Sequence, residues 1–120
     1  MSSINIKRLH HVQICIPVGF EAEARRFYTD MLGLQEIEKP KQIPGIWYRV
    51  GESELHLGIE PEMYPTKRFP SFEVESLDAV RKHLAAHNIT IKEESPIPGF
   101  QRMSFLDPWK NKLELLQRNA

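Results

Sequence analysis

The sequence contains a single cysteine, Cys15. One thiol cannot close an intrachain disulfide and cannot build a cysteine zinc cluster, so a reducing compartment is the expected setting. Cys15 itself is read as a buried structural residue. Charge of one sign is also missing, because sixteen Lys and Arg offset sixteen Asp and Glu. A chain that binds the phosphate backbone carries a basic excess, so nucleic acid is not expected as a partner. No basic cluster marks a membrane surface, and no apolar run approaches the about 20 residues that a bilayer span requires. The opening stretch MSSINIKRLHHV lacks the layout of a signal peptide. These absences point to a soluble, cytoplasmic protein. The composition is not biased enough for a disordered chain: 41% hydrophobic and 27% charged over 120 residues is what one globular domain uses.

Proline and glycine, by contrast, are well supplied and divide the chain. They fall at Pro17-Val18-Gly19, Pro40 to Gly45, Gly51, Pro61 to Pro65, Pro96 to Gly99 and Asp107-Pro108. Two helical patterns lie between them. The first runs from about Glu21 to Leu32, with Phe20, Ala24, Phe27 and Met31 on one face and Gly33 as the terminating residue. The second runs from about Leu77 to His87, with Ser76 as N-cap, Leu77, Val80 and Leu84 on one face and Asn88 at the exit. The other segments read as strands near 8–17, 34–38, 46–51, 54–60, 69–75, 89–93, 100–106 and 112–117. The order is strand, helix, three strands, and then the same again. A shift of 58 aligns LHHVQIC with KRFPSFE and ELHLG with KLELL, which supports an internal repeat.

Strand residues alternate between two faces. Val12, Ile14 and Ile16 oppose His11, Gln13 and Cys15; Leu55, Leu57 and Ile59 oppose Glu54, His56, Gly58 and Glu60. Pro70, Phe72 and Val74 oppose Phe69, Ser71 and Glu73, and Leu113 and Leu115 oppose Lys112, Glu114 and Leu116. The apolar faces are expected to pack beneath the helices. The polar faces are either solvated sheet surface or a site. A plain ferredoxin-like α+β domain without a site is a third reading, but it leaves either 54–60 or 112–117 without a place.

The βαβββ–βαβββ order resembles the vicinal oxygen chelate superfamily, which includes glyoxalase I, fosfomycin-resistance thioltransferases, extradiol dioxygenases and bleomycin-resistance proteins. LHHVQICIP, RRFYTDMLGLQEIE and FLDPWKNKLELL carry the resemblance, which spans about residues 7–117. It implies an α+β fold of two tandem βαβββ modules, about 7–60 and 67–117 with a linker at 61–66. In such a fold the modules form a curled mixed sheet around a cleft, with the helices outside. It also implies a single domain over 1–120 and a homodimer.

The resemblance places the family's metal ligands on His11, His56 and Glu114. The usual fifth-strand ligand position falls on Phe69, which cannot bind a metal. Two imidazoles and a carboxylate suit divalent Fe, Mn, Ni or Zn. Gln13, Glu54 and Ser71 share these faces and could orient the ligands. Glu54 or Glu73 could serve as general base. Gln13, Trp47, Arg49, Arg102 and Ser104 are the expected substrate-facing residues; the arginines suit an anionic oxygen ligand. His10, by strand parity, is expected to point to the helix side or to solvent, and His83 and His87 are expected to be exposed. The implied function is a small metal-dependent lyase, isomerase, dioxygenase or thioltransferase acting on an oxygen-rich, anionic small molecule. The alternative is a metal-free drug- or metabolite-binding protein of the bleomycin-resistance type.

Overall fold

The computed structural model describes residues 4–120. In chain order its elements are β1 (His11–Pro17), α1 (Glu21–Arg25) continuing as a π-helical turn (Arg26–Met31), β2 (Gln35–Ile37), β3 (Ile46–Val50), β4 (Ser53–Glu60), β5 (Ser71–Glu73), α2 (Leu77–Ala86), β6 (Ile91–Ile97), β7 (Phe100–Leu106) and β8 (Lys112–Arg118). The fold is α+β and runs βαβββ twice. The chain divides into two compact units, Met1–Pro61 and Glu62–Ala120. Each holds one mixed sheet, of strand order β1-β4-β3-β2 in the first and β5-β8-β7-β6 in the second. In each sheet the first strand of the unit runs parallel to the last, and the other pairings are antiparallel. A parallel pair needs a long crossover, which the intervening helix and two strands provide.

In the first unit Ile16, Ile46, Tyr48, Leu55 and Leu57 are buried in the sheet, and Ala24, Tyr28 and Met31 are buried on the helical segment. The Tyr28 and Tyr48 ring centroids lie 6.0 Å apart, and Thr29 Oγ1 and Tyr48 Oη share a hydrogen bond of 2.8 Å. The expected helix face needs correction here. Phe20 precedes the helix and is 43% exposed, whereas Tyr28 is fully buried. From Arg26 the helix widens into a π turn, closed by a bond from Leu32 N to the Phe27 carbonyl. Ala24, Tyr28 and Met31 follow at spacings of 4 and 3, so Tyr28 rather than Phe27 lies on the buried stripe. Gly33 then takes a φ of +79°, a left-handed exit that costs glycine nothing.

In the second unit Leu77 and Leu84 of α2 are buried, together with Met103, Phe105, Leu113 and Leu115 of the sheet. Ser76 caps α2 by accepting from Ala79 N at 3.1 Å. Leu77 N donates to Gln117 Oε1 at 2.7 Å, tying the start of α2 to β8. Val12, Ile14, Phe72 and Val74, expected to be buried, are only half-buried. The reason is topological. β1 and β5 are edge strands, while β4 and β8, which carry the fully covered leucines, lie one strand in.

Candidate functional site

Pairing of β1, β4 and β3 gathers the polar face of the first sheet. His11 lies opposite Glu54, Gln13 opposite His56, Trp47 opposite His56, and Arg49 opposite Glu54. The side chains form a column of rings. The Trp47 and His56 rings stack at 4.0 Å between centroids and 4° between planes. His56 and His11 stack at 4.1 Å and 16°. His56, in the middle, is 5% exposed, whereas His11 at the end is exposed. His56 Nε2 lies 2.9 Å from Glu54 Oε1. An ionised carboxylate can only accept, so Nε2 is the donor. That bond holds the Glu54 carboxyl below its usual range. Arg49 Nη1 stands 3.7 Å from Glu54 on the rim.

His10 is exposed, as expected, and its ring lies beside that of His11. Its Nδ1 lies 3.0 Å from His11 Nδ1, and its ring meets His11 edge-on at 88°. It precedes the first residue of β1, so strand parity does not govern its direction. Gln13 lies flat across the neighbouring strand because position 58 is glycine. A Cβ there would stand 2.5 Å from Gln13 Nε2.

The polar face of the second sheet is a network of charges. Glu114 is 4% exposed. Its Oε1 accepts from Arg102 Nη1 at 2.5 Å and its Oε2 from Ser71 Oγ at 2.6 Å. Arg102 is pinned a second time, by Nε to the Ser95 carbonyl at 2.7 Å. Ser104 donates to Glu94 Oε2 at 2.6 Å, and Lys112 Nζ lies 3.2 Å from the same oxygen. The Ser104 hydrogen bond, and then that of Lys112, holds the Glu94 carboxyl below its usual range. Lys112 Nζ also sits 4.3 Å above the Phe69 ring. Glu73 stands apart from these pairs, on an exposed stretch with Arg118 at 3.9 Å.

The first unit thus brings His11, Gln13, Trp47, Arg49, Glu54 and His56 together, and the second brings Arg102, Ser104 and Glu114 together. Sequence reasoning missed Glu94, Lys112 and Ser95. Lys112 shares the strand face of Glu114, so parity was a usable signal for it. Ser95 acts through its backbone, which no residue pattern reveals.

The donor chemistry of His11, His56 and Glu114 suits a divalent metal, but the rings of His11 and His56 do not converge on one ion. A ligating imidazole places the ion in its own ring plane at about 2.0–2.1 Å. Planes tilted by only 16°, with centroids 4.1 Å apart, meet far beyond that distance. Nε2 of His56 is spent on Glu54, and both Glu114 oxygens already hold donors. Within either unit, no three His, Cys, Asp or Glu side chains among the described residues are gathered as a ligand set.

The Asp-Pro-x-x-Asn motif before β8 is structural. Asp107, 4% exposed, accepts from Trp109 N at 2.9 Å and Asn111 N at 2.8 Å through Oδ1, and from Asn111 Nδ2 at 2.8 Å through Oδ2. The motif shapes the turn that delivers Lys112 and Glu114 to the sheet.

Residues 8–115 match the sequence pattern of the Glyoxalase/Bleomycin resistance protein/Dioxygenase superfamily. Among solved structures, a protein of Bacillus anthracis described as belonging to the glyoxalase family is 33% identical, with a TM-score of 0.90 over 98% of this chain and 100% of its own. A glyoxalase/dioxygenase from Nostoc punctiforme is 20% identical, with a TM-score of 0.76 over 100% and 97%. The fosfomycin resistance protein FosX from Listeria monocytogenes is 16% identical, with a TM-score of 0.73 over 92% and 90%. Among curated proteins none matches. With the repeated βαβββ order and the match over nearly the whole sequence, the chain belongs to the glyoxalase/bleomycin resistance/dioxygenase superfamily, the vicinal oxygen chelate proteins.

Proposed function

We propose that this chain is a metal-independent small-molecule-binding member of its superfamily, which takes an oxygen-rich anionic ligand on the face of the first sheet that bears Trp47 and Arg49. One observation carries the reading: the near-parallel column of Trp47, His56 and His11. Rings so arranged offer faces and edges for packing and hydrogen bonding, and their lone pairs do not converge. Phe69 at a usual ligand position supports the same reading. Arg49 is half-exposed and held only loosely, at 3.7 Å from Glu54, so its guanidinium is available to a carboxylate or phosphonate.

A second reading, a metal-dependent enzyme with His11, His56 and Glu114 as ligands and Glu54 or Glu73 as base, draws on the His56–Glu54 hydrogen bond. A carboxylate on the second nitrogen is how many ligating imidazoles are oriented. Protein expressed without a histidine tag distinguishes the two. The binding reading expects metal well below one ion per chain by mass spectrometry. It also expects ligand binding, followed by calorimetry, to survive chelation and to be lost in Trp47→Ala. One tightly held ion per chain that disappears in His56→Ala selects the enzyme instead. A homodimer in the cytoplasm is the setting we propose for either reading.

A further inference from the structure

A carboxylate buried as deeply as Glu114 must be balanced by a cation or by several donors. Here it has both, and the cation comes from the protein. Arg102 Nη1 lies 2.5 Å from one oxygen, Ser71 Oγ 2.6 Å from the other, and Arg102 is anchored at its far side by the Ser95 carbonyl. The Arg102 side chain is 21% exposed and that of Glu114 5%, so this is a seated pair and not a surface contact. A second anion of the face, Glu94, has its own cation in Lys112, and that ammonium covers the ring of Phe69. Every carboxylate at the centre of this sheet face is therefore neutralised from within the unit.

We propose that Arg102 is a built-in cation of the site: its guanidinium takes the charge-balancing place of a divalent ion at Glu114 and keeps such an ion out. The inference rests on the metal-independent reading and names the residue that enforces it. A guanidinium carries its charge at any physiological pH and cannot dissociate from the chain, whereas a metal exchanges with solvent. Its positive charge, held within hydrogen-bond distance of the carboxylate, also repels an approaching dication.

The test is titration of the untagged full-length protein with Zn2+, Ni2+ and Mn2+ by calorimetry, with circular dichroism to confirm folding of each variant. Wild type and Arg102→Lys are expected to show no site that depends on Glu114. Phe69→His restores a donor but leaves Arg102 in place. Phe69→His with Arg102→Gln is expected to bind at least one of these ions about tenfold or more tighter than Phe69→His alone. That gain should vanish when Glu114→Gln is added, which separates it from any exposed histidine. If the glutamine variant does not fold, Arg102→Met in the same background keeps the length and packing of the side chain. Equal affinity with and without Arg102, or no gain in the double variant, overturns the inference and leaves the metal-independent reading standing. A Glu114-dependent site in the wild type overturns both.

Discussion

Replacing Arg102 with Gln would strand the most deeply buried charge of the second sheet. Glu114 would keep only Ser71 as donor, in a position where 4% of the residue meets solvent. Removing one partner of a buried ion pair costs about 3–5 kcal/mol. Because the Arg102 side chain is 21% exposed, water can partly replace it, and the expectation sits near the lower end, about 3 kcal/mol. Glu114→Gln keeps an amide oxygen for Arg102 and should cost less, about 1–2 kcal/mol. The double variant removes the unbalanced charge altogether. It should therefore be more stable than the sum of the single losses predicts, by about 2 kcal/mol of coupling. Urea unfolding at pH 7 measures all three, with the slope unchanged if only stability has moved. A loss below about 1 kcal/mol for Arg102→Gln, or additivity of the two single changes within about 0.5 kcal/mol, would refute the view that this pair is a seated internal charge balance.

Leu57 is fully buried on an inner strand and Phe72 half-buried on an edge strand, so in urea melts Leu57→Ala should cost about 2–5 kcal/mol and Phe72→Ala distinctly less. Asp107→Ala removes the acceptor of one buried and one part-buried backbone N–H group; a loss of about 2–4 kcal/mol is expected, with ligand affinity changing little once the variant is folded. Glu36, Glu54, Glu93 and Glu94 all have folded-state values below the ordinary carboxylate value, held there first by hydrogen bonds from Arg25, His56, Arg81 and Ser104 respectively. Lowered values mean stability that is present above the unfolded carboxylate pKa of about 4.3 and lost as pH falls through the folded values. Thermal melts should show no contribution from these four groups to pH dependence between pH 7 and 5 and a falling midpoint below about 4.5. Arg81→Gln should flatten that acid limb, since it releases Glu93.

Period-two alternation made the fold legible. β3, β4, β7 and β8 stand within one or two residues of their expected bounds, and along β3, β4 and β8 apolar residues alternate with more polar ones. β6 runs on to Ile97, past the expected end at 93, because a bulge between Glu94 and Ile97 accommodates Pro96 within the pairing with β7. The π turn of the first helical segment was not legible, since a 3.6-residue pattern cannot register one widened turn. At the site, parity placed His11, His56 and Trp47 on one face, and the register of β1, β4 and β3 then stacked their rings. Pairing of charges was beyond the sequence. Arg102 lies directly opposite Glu94 and Leu116, yet its guanidinium reaches diagonally to Glu114. Two acids were within reach, and only the seating of Arg102 on the Ser95 carbonyl selects one.

The imidazoles of His11 and His56 decide between the two functional readings, and NMR of 15N-labelled protein titrated with Co2+ reports on them directly. If the rings serve as a packed aromatic surface, one equivalent of Co2+ should leave the His11 and His56 resonances at their metal-free positions, with any perturbation confined to the exposed His10, His83 and His87. Large hyperfine shifts of both imidazoles at one equivalent, abolished by Glu114→Gln, would contradict metal-independent binding and establish a metal centre.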